Sequence, residues 1–357
     1  MRDDFIYHNI WIAIVSVLFF IVALLYKKNT YRHKRTFVFL VLWSILYIGL
    51  RPITDECIDT VQYAKIYEEI NDIGITEDLD PFFMLAMKFF NLIGCSVHIF
   101  FLFCAVIYVC SYASLCKWKY YQESVIVFLS VLVSFSFFSY GINAIRNGLS
   151  VAFFLFGFIY GQKGRYMPMS CFMILSFYTH SSSLLLIVAY VLSCFYKNVK
   201  AYYCAWLVSL LLVLLLGDIW QRYINFLPML SKHDTDYFLE ADDSKTFSMS
   251  GFRWDFLLYG IIPILVSYYY IVKRGFKDSF YNRITIIYLV ANILWLFMSS
   301  NWLSNRFGFL SWWLYIPMIF YPILQVESGR RKERYMKYAF VGNYAFTMLM
   351  FFIGKYV

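Results

Sequence analysis

The sequence predicts an all-α, polytopic integral membrane protein with about 12 transmembrane helices and one re-entrant or interfacial helix. Three observations support this fold class. Of the 357 residues, 61% are hydrophobic and only 15% are charged. Apolar runs of roughly 17–20 residues, long enough to cross ~30 Å of hydrocarbon, recur along almost the whole chain. Short basic clusters separate these runs, as is typical of cytoplasmic loops.

The same composition excludes other classes of protein. The strands of an outer-membrane barrel alternate apolar and polar residues, and these runs do not. The net charge of +9 comes from the clusters between spans. We therefore attribute it to orientation in the bilayer and to contact with anionic membrane lipids, and expect no nucleic-acid partner. The large aromatic share, 22%, suits interfacial belts and lipid contacts.

The N-terminal third contains two spans and a large outer loop. The basic cluster at 27–35 is expected to be cytoplasmic, so the spans at about 9–26 and 36–50 place the N-terminus outside. The residues that follow are rich in Asp and Glu, which fits the outer side. The apolar helix at 81–95 is short for a span, and we predict that it is re-entrant or interfacial. The segment 51–96 is thus predicted to be an outer, periplasmic loop with a re-entrant helix.

From residue 97 onward, apolar spans alternate with basic links. The predicted spans are 97–116, 124–140, 145–161, 167–180, 181–196, 201–217, 254–272, 283–300, 306–324 and 338–354. A second outer loop, 218–252, is again acidic. Because the sequence has neither an internal repeat nor a low-complexity linker, we expect residues 1–357 to form a single transmembrane domain.

Four ionisable residues are predicted at the outer ends of spans, namely Arg146, His180, Arg253 and Arg306. Arg146 lies 17 residues from the cytoplasmic Lys163, which is roughly 25 Å along a helix. Ionisable residues at membrane depth commonly mark functional sites. The sequence therefore predicts a polar cup, lined by arginines, in the outer half of the protein.

Two short hairpins turn at "GINAIR" and "YTHSSS". In the first, Asn143 and Arg146 are three residues apart and share a face if the helix has already begun there. Simpler interpretations stay open. An arginine at a span end can extend to the lipid headgroups, and serines 181–183 can cap the next helix. Likewise, Asp55 and Asp59 can serve only to solvate the first outer loop.

The charge of the predicted cup indicates the chemistry that it can support. Guanidinium groups bind phosphate oxygens in pairs and keep their proton. Arg146, Arg253 and Arg306 are therefore candidate anchors for a pyrophosphate-linked lipid, and they would stabilise the pyrophosphate as it leaves. His180 or a carboxylate would accept a proton from an attacking sugar hydroxyl. The chain has no P-loop, H-E-x-x-H or G-x-S-x-G motif, which argues against nucleotide hydrolysis and zinc proteolysis. We expect neither a metal nor a cofactor.

Two stretches carry a resemblance to a known family. "RPITDECIDTVQYAKIYEEI", followed by "DLDPFFMLAMKFFNLIG", resembles the first outer loop of the EpsG-type polysaccharide polymerases. That family shows an Arg, then Gly-x-Asp-x-x-x-Tyr, then an acidic residue before an aromatic helix. Asp59 and Tyr63 match its Asp and Tyr, its Gly is replaced here, and Asp80 stands where the family usually has Glu.

The two hairpins continue the resemblance. The family's N-x-x-R-Q-x-x-A appears as Asn143 and Arg146, with Asn147 and Ser150 in place of the last two motif residues. Its F-x-H-x-S motif appears in the second hairpin, in the expected order. The matching residues there are Tyr178, His180 and Ser182. These matches cover about residues 50–195, and the substitutions concern the geometry of the substrate more than the class of enzyme.

The resemblance implies a Wzy-like polymerase of O antigen or a similar surface polysaccharide, with a GT-C-like membrane fold. Such enzymes join undecaprenyl-pyrophosphate-linked repeat units on the periplasmic face of the bacterial inner membrane. The growing chain is the donor, a hydroxyl of the next repeat attacks its anomeric carbon, and undecaprenyl pyrophosphate leaves. A flippase and a chain-length regulator are the expected protein partners.

Site residues follow from this activity. Arg146 and Arg306, with Arg253, would hold the phosphates, and His180 or Asp59 would be the base or orient the acceptor. Further contacts to the substrate are expected from Asn143, Asp55, Tyr63 and Asp80.

Two other classes of function are kept as alternatives. One is a flippase or transporter of lipid-linked sugars, which should show charges near the bilayer midplane and a pseudo-repeat. The other is a different transferase on the same scaffold, such as an O-antigen ligase or an acyltransferase. The charges here gather at one face and no repeat is evident, so glycan polymerisation is the leading hypothesis.

Overall fold

The structure, a computed structural model, describes residues 6–25, 33–54, 57–71, 80–216, 252–300 and 304–352. Within these ranges the chain is helical and contains no strand, which confirms the predicted all-α class. Asp55 and almost all of the predicted second outer loop lie outside the described residues. The chain divides into two compact units, Met1–Thr179 with Glu327–Val357 and His180–Val326.

The α-helices described in the first part of the first unit are α1 Ile6–Leu25, α2 His33–Gly49, α3 Ile58–Glu69, α4 Pro81–Leu92, α5 Val97–Lys119, α6 Ser124–Val133, α7 Phe137–Ile142, α8 Ile145–Gln162 and α9 Tyr166–Thr179. The described helices of the second unit are α10 Leu184–Phe195, α11 Val199–Leu216, α12 Trp254–Tyr268, α13 Ser279–Met298, α14 Ser304–Trp312 and α15 Tyr315–Val326. The chain then returns to the first unit with α16, Gly329–Phe352.

Several of these segments have the length and apolarity of membrane spans. In the part of the chain that the structure describes, six qualify, namely Ile6–Ala23, Val97–Lys119, Val199–Leu216, Trp254–Lys273, Ser279–Met298 and Ser304–Val326. A helix of 20 residues is about 30 Å long and matches the hydrocarbon thickness. The chain is therefore a multi-pass membrane protein, while the expected count of about 12 crossings stays a prediction.

Helix α4 is too short to be a span. It has 12 residues, so it is about 18 Å long and cannot cross ~30 Å of hydrocarbon. Pro81 occupies its first turn, where a missing N–H costs nothing, and Asp80 is the N-cap residue. That the 81–95 segment is re-entrant or interfacial stays a prediction.

Two predicted spans are interrupted. The prediction of one helix over 124–140 is wrong, because α6 ends at Val133 and α7 begins at Phe137. Ser134, at the break, has extended backbone and donates its hydroxyl to the carbonyl of Val131. Local hydrogen bonds of this kind compete with the helix.

The second interruption divides the predicted span at 306–324 into α14 and α15, with a turn at Trp313 and Leu314. Pro317 contributes to it, since its nitrogen cannot donate to the carbonyl of Trp313 four residues earlier and its ring crowds that carbonyl, whereas a proline fits well in the first turn of a new helix. Pro317 is the third residue of α15.

The core of the first unit lies where α3, α4, α5 and α8 meet. Its buried members are Tyr63, Tyr67, Ile70, Phe83, Met84, Met87, Phe100, Phe101, Cys104, Ile145, Leu149 and Phe153. Polar contacts join α3 to α4 beside this core. Asn91 donates to the carbonyl of Tyr67 at 2.9 Å, and Asn71 donates to the Asn91 side chain at 2.7 Å. Helices α3 and α4 therefore pack onto the N-terminal half of α8.

Inside the second unit, polar side chains connect the helices. Trp206 on α11 donates to Asn292 on α13 at 2.7 Å, and Asn292 donates to Ser311 on α14 at 3.2 Å. The hydroxyl of Tyr288 donates to the carbonyl of Gly260 at 2.8 Å. Hydrogen bonds of this type hold helices together where apolar surface alone gives little specificity.

Candidate functional site

Arg146 lies at the centre of a group of predicted site residues. Its Nε donates to the hydroxyl of Tyr63 at 2.8 Å, and its Nη1 donates to Oδ2 of Asp80 at 3.0 Å. The side chains of Arg146 and Asp80 are only 16% and 10% exposed, so this ion pair is partly buried and weakly screened by salt. The structure thus brings together three residues that the sequence had proposed separately.

A sharp break in the chain places Arg146 at the start of α8. Ile145 donates its backbone N–H to the carbonyl of Asn143 at 2.8 Å, and Ala144 has φ −78° and ψ 55°. This is the geometry of an inverse γ-turn. Arg146 is the second residue of the helix that follows. Its guanidinium therefore adds to the partial positive charge of the helix N-terminus, which favours an anion.

Gly148 allows this break to be tight. A Cβ atom at position 148 would lie 2.4 Å from the backbone oxygen of Tyr140. Every side chain larger than hydrogen would therefore push α7 away from the first turn of α8. The glycine is required by the close approach of the two short helices.

Two residues of the predicted outer loop contact Arg146, namely Tyr63 on α3 and Asp80 at the start of α4. Tyr63 is buried on α3, and its ring meets Phe83 edge-to-face at 5.0 Å between centroids. Asp80 occupies the N-cap position of α4, yet its side chain makes no capping hydrogen bond. An aspartate at that position ordinarily accepts from its own helix. Here its carboxylate bonds to Arg146.

Asn143 lies in the break that precedes α8. It would share a helical face with Arg146 only if the helix had already begun there, and this condition is not met because α8 begins at Ile145. Its side-chain Oδ1 is buried and makes no hydrogen bond within the described residues. An amide oxygen in that position can accept from a sugar hydroxyl if the site opens.

Asp59 lies in the first turn of α3, one turn before Tyr63. Residues four apart on a helix lie on one face, so Asp59 and Tyr63 face the same side of α3. Asp59 is partly exposed. Of the two candidate bases it is the one that the first unit contains.

The remaining predicted residues belong to the second unit. His180 is buried in extended backbone at the junction between α9 and the one-turn helix Ser181–Ser183. Ser183 is the N-cap residue of α10 but makes no side-chain capping hydrogen bond, so the simpler interpretation of the serines as helix caps does not account for this one. The hydroxyls of Ser182 and Ser183 are buried without a hydrogen-bond partner in the described part of the chain.

Arg253 and Arg306 have local partners. Arg253 binds Asp255 through two hydrogen bonds of 2.9 and 2.7 Å, and its guanidinium carbon lies 3.6 Å from the ring centroid of Phe256. The backbone N–H of Arg306 donates to the side chain of Asn305 at 2.8 Å. A common polar cup that unites these arginines with Arg146 stays a prediction from the sequence.

Sequence reasoning missed one residue, Arg51, which it noted only as the arginine that precedes the family's Asp and Tyr. Arg51 is 0% exposed and donates to Thr60 and to the carbonyl of Ile48, both at 2.8 Å. Burial lowers the pKa of its guanidinium to about 10, so the group stays charged at neutral pH. The sequence did contain a signal for this residue, since Arg51 directly follows the predicted span 36–50 and belongs to no basic cluster.

The family model of the EpsG family matches residues 34–357 of the chain. This range includes every candidate site residue named above. Comparison with curated proteins gave no match, and comparison with solved structures gave none.

Proposed function

The chain belongs to the EpsG family, and we propose from this premise that it is a membrane glycosyltransferase that polymerises lipid-linked repeat units. The donor is a growing glycan whose anomeric carbon carries undecaprenyl pyrophosphate. A hydroxyl of the next lipid-linked repeat forms the new glycosidic bond. The bond to the pyrophosphate oxygen breaks, and undecaprenyl pyrophosphate leaves with the electron pair. The product is O antigen or a similar surface polysaccharide.

The single observation that carries this proposal is the held guanidinium of Arg146 at the N-terminus of α8. Negative charge develops on the pyrophosphate oxygen as the anomeric bond breaks, and a fixed positive group stabilises that charge best. The two hydrogen bonds to Tyr63 and Asp80 use two of the five N–H groups of the guanidinium. They orient the group before the substrate arrives, so little reorganisation is needed during the reaction.

Asp80 has a second consequence for binding. Its carboxylate partly neutralises Arg146 in the resting protein, which keeps a partly buried cation paired. A pyrophosphate diester carries more negative charge than one carboxylate, so it can share the guanidinium with Asp80. Because arginine supplies the positive charge, the proposed reaction needs no metal ion.

The proton of the attacking hydroxyl goes to a base, for which Asp59 and His180 are the candidates. We favour Asp59 as the base, because it faces the same side of α3 as Tyr63, whose hydroxyl accepts a hydrogen bond from Arg146. An in-line displacement would invert the anomeric configuration. Consistent with the lipid donor, we place the reaction at the periplasmic face of the bacterial inner membrane. A flippase would supply the substrate there, and a chain-length regulator would act on the product.

The test uses the full chain in lipid nanodiscs with a synthetic undecaprenyl-pyrophosphate repeat unit, and the products are separated by length. We expect a ladder of extended chains. In Arg146→Ala the ladder should fall by about a hundredfold or more, as expected when a charge-stabilising group is lost. Arg331→Ala is the matched control, since Arg331 is an exposed arginine paired with Glu327 in the basic cluster that begins α16.

Other outcomes would contradict the proposal. Transfer to a different acceptor without extension would indicate a ligase or another transferase. Movement of the lipid-linked unit across a vesicle membrane without bond formation would indicate a flippase. Full extension by Arg146→Ala would remove Arg146 from the mechanism and return it to a contact with lipid headgroups.

A further inference from the structure

Arg51 is a permanent charge enclosed within the first unit. It is 0% exposed, and its guanidinium carbon lies 4.1 Å from the ring centroid of Phe101. Its Nη1 donates to the carbonyl of Ile48 in the last turn of α2 at 2.8 Å. Its Nη2 is buried without a hydrogen-bond partner in the described part of the chain. No substrate can touch a side chain that is this enclosed.

Thr60 connects Arg51 to the break between α7 and α8, just before Arg146. Thr60 accepts a hydrogen bond from Nε of Arg51 at 2.8 Å and donates its own hydroxyl to the carbonyl of Ile142 at 2.8 Å. Thr60 is itself 0% exposed. It follows Asp59 directly on α3, and Ile142 directly precedes Asn143 at the break between α7 and α8. These hydrogen bonds, from Arg51 through Thr60 to Ile142, form a relay. The relay joins the end of α2, the start of α3 and the break between α7 and α8.

The energetics of this relay argue against stability as its only purpose. Burying a guanidinium costs several kcal/mol, and even a complete buried ion pair can often be replaced by apolar side chains of similar volume without loss of stability. A buried, hydrogen-bonded charge constrains the geometry of its surroundings, because each hydrogen bond restricts the distance and angle between donor and acceptor. The carbonyl of Ile142 is the last of α7, so fixing it fixes where the chain turns into α8.

We propose that Arg51 and Thr60 are positioning residues, which hold the break before Arg146 in register with the face of α3 that carries Tyr63. This proposal rests on the proposed function, since it assigns the relay to the geometry of the Arg146 site. Arg51 and Thr60 act through other residues. When the relay is lost, Arg146 and Tyr63 remain present but move relative to each other. An error of about 1 Å in such a constellation costs up to about a hundredfold in rate.

Thr60→Val is the sharpest variant for a test. It keeps the volume and branching of threonine while it removes the hydroxyl that links Arg51 to Ile142. The matched control is Thr285→Val in the second unit. Thr285 is also 0% exposed, but its hydroxyl donates only to the carbonyl of Tyr281 one turn earlier in the same helix. Thr60→Ser restores the hydroxyl and serves as the rescue variant.

The kinetic readout separates positioning from general destabilisation. In the chain-extension assay we expect Thr60→Val to lower kcat about tenfold or more, with a change in KM below about threefold. Thr60→Ser should recover most of the wild-type kcat. A loss in Thr60→Val no larger than in Thr285→Val, or a loss that follows the melting temperature of both, would overturn the proposal. So would a Thr60→Ser variant as slow as Thr60→Val.

Arg51 is tested in parallel by Arg51→Lys and Arg51→Met. Lysine keeps the charge but has no planar fork to reach Thr60 and Ile48 together. We expect both variants to insert in the membrane and to show the loss in kcat of Thr60→Val. Arg51→Met with wild-type kcat would overturn the proposal, because the charge would then have no effect on the site.

A second readout does not depend on catalysis. Hydrogen–deuterium exchange of the peptide that covers residues 137–150 should rise in Thr60→Val and stay at the wild-type level in Thr285→Val. If the wild-type protein extends no glycan, the proposed function fails while this exchange experiment still decides whether the relay holds the break. Unchanged exchange in Thr60→Val would overturn the relay even in an active enzyme.

Discussion

Nη1 of Arg146 lies 3.0 Å from Oδ2 of Asp80, although the two residues are 66 positions apart in the chain. Each comes from the start of its own helix, Arg146 from the first turn of α8 and Asp80 from the N-cap of α4. The carboxylate that would ordinarily cap α4 bonds instead to the guanidinium. A local capping bond has thus been exchanged for a long-range ion pair, and this exchange sets the geometry on which the predictions below depend.

Asp80→Asn should reduce chain extension by about ten- to a hundredfold, because a hydrogen bond to a charged group contributes about 1.5–3 kcal/mol. The amide keeps the shape of the side chain but loses the charge that orients Arg146. The rate is measured with the lipid-linked repeat unit at saturation. Glu123→Gln is the control, since Glu123 forms another ion pair of the first unit, 3.2 Å from Lys332. Equal activity in wild type and Asp80→Asn would contradict the role of the pair.

Tyr63→Phe should lower kcat by about tenfold with little effect on the melting temperature. The substitution removes the hydroxyl that accepts from Arg146, while the ring keeps its contact with Phe83. Tyr67→Phe is a close control, one turn further along α3, whose hydroxyl donates to the carbonyl of Cys95 at 2.8 Å. We expect Tyr67→Phe to lose about 1 kcal/mol of stability and to retain its kcat. An unchanged kcat in Tyr63→Phe with a lower melting temperature would show that the Tyr63 hydroxyl contributes to stability and not to the reaction.

Gly148→Ala should abolish extension or prevent accumulation of the folded protein. The added Cβ would lie 2.4 Å from the Tyr140 oxygen, a backbone atom that cannot move without displacing α7. Gly342→Ala is the matched control, because a methyl group at that position of α16 would face open space. Alanine in that helix should be neutral or stabilising by about 0.5–1 kcal/mol. The measurements are expression in the membrane, melting temperature and extension. Normal values of all three in Gly148→Ala would show that the break is not tight.

Asp59→Asn should lower kcat by about a hundredfold or more if Asp59 is the base, as general-base catalysis contributes about 10²–10⁴. We expect His180→Gln to act mainly on KM. Glu68→Gln controls for the loss of a carboxylate on the same helix, since Glu68 is exposed. The variants are compared over a range of pH in the extension assay. Loss of kcat in His180→Gln together with a mild effect of Asp59→Asn would assign the base to His180.

Membrane class and most helix positions were predictable because they depend on local properties. The length of an apolar run decides whether a helix can cross hydrocarbon, and this length is visible in the order of residues. The bounds expected for 97–116, 145–161 and 201–217 agree closely with α5, α8 and α11. The two interrupted spans were missed because the apolar pattern continues across both breaks, while one serine side chain and one proline decide the backbone there.

Individual members of the candidate site were also identified from the sequence, since a charge in an apolar protein requires a reason. Arg146, Tyr63 and Asp80 were each proposed from residue type and depth or from family spacing. Their association was not predictable, because it depends on where the α3–α4 segment packs. That packing comes from the buried cluster shared by α3, α4, α5 and α8. The break at Asn143 was not predictable for a similar reason, since it accompanies the close approach of Gly148 to Tyr140.

The sequence by itself determined that this protein is a helical, multi-pass membrane protein with the motifs of the EpsG family, and it determined which side chains are candidates for chemistry. Only the tertiary structure decided which of those side chains meet. It paired Arg146 with Asp80 and Tyr63 and placed Arg51 and Thr60 against the break that precedes Arg146. The physical reason is the range of the forces involved. The apolar pattern that produces a helix is set by residues close together in the chain. A hydrogen bond or an ion pair between distant residues forms only after packing has brought them within about 3 Å.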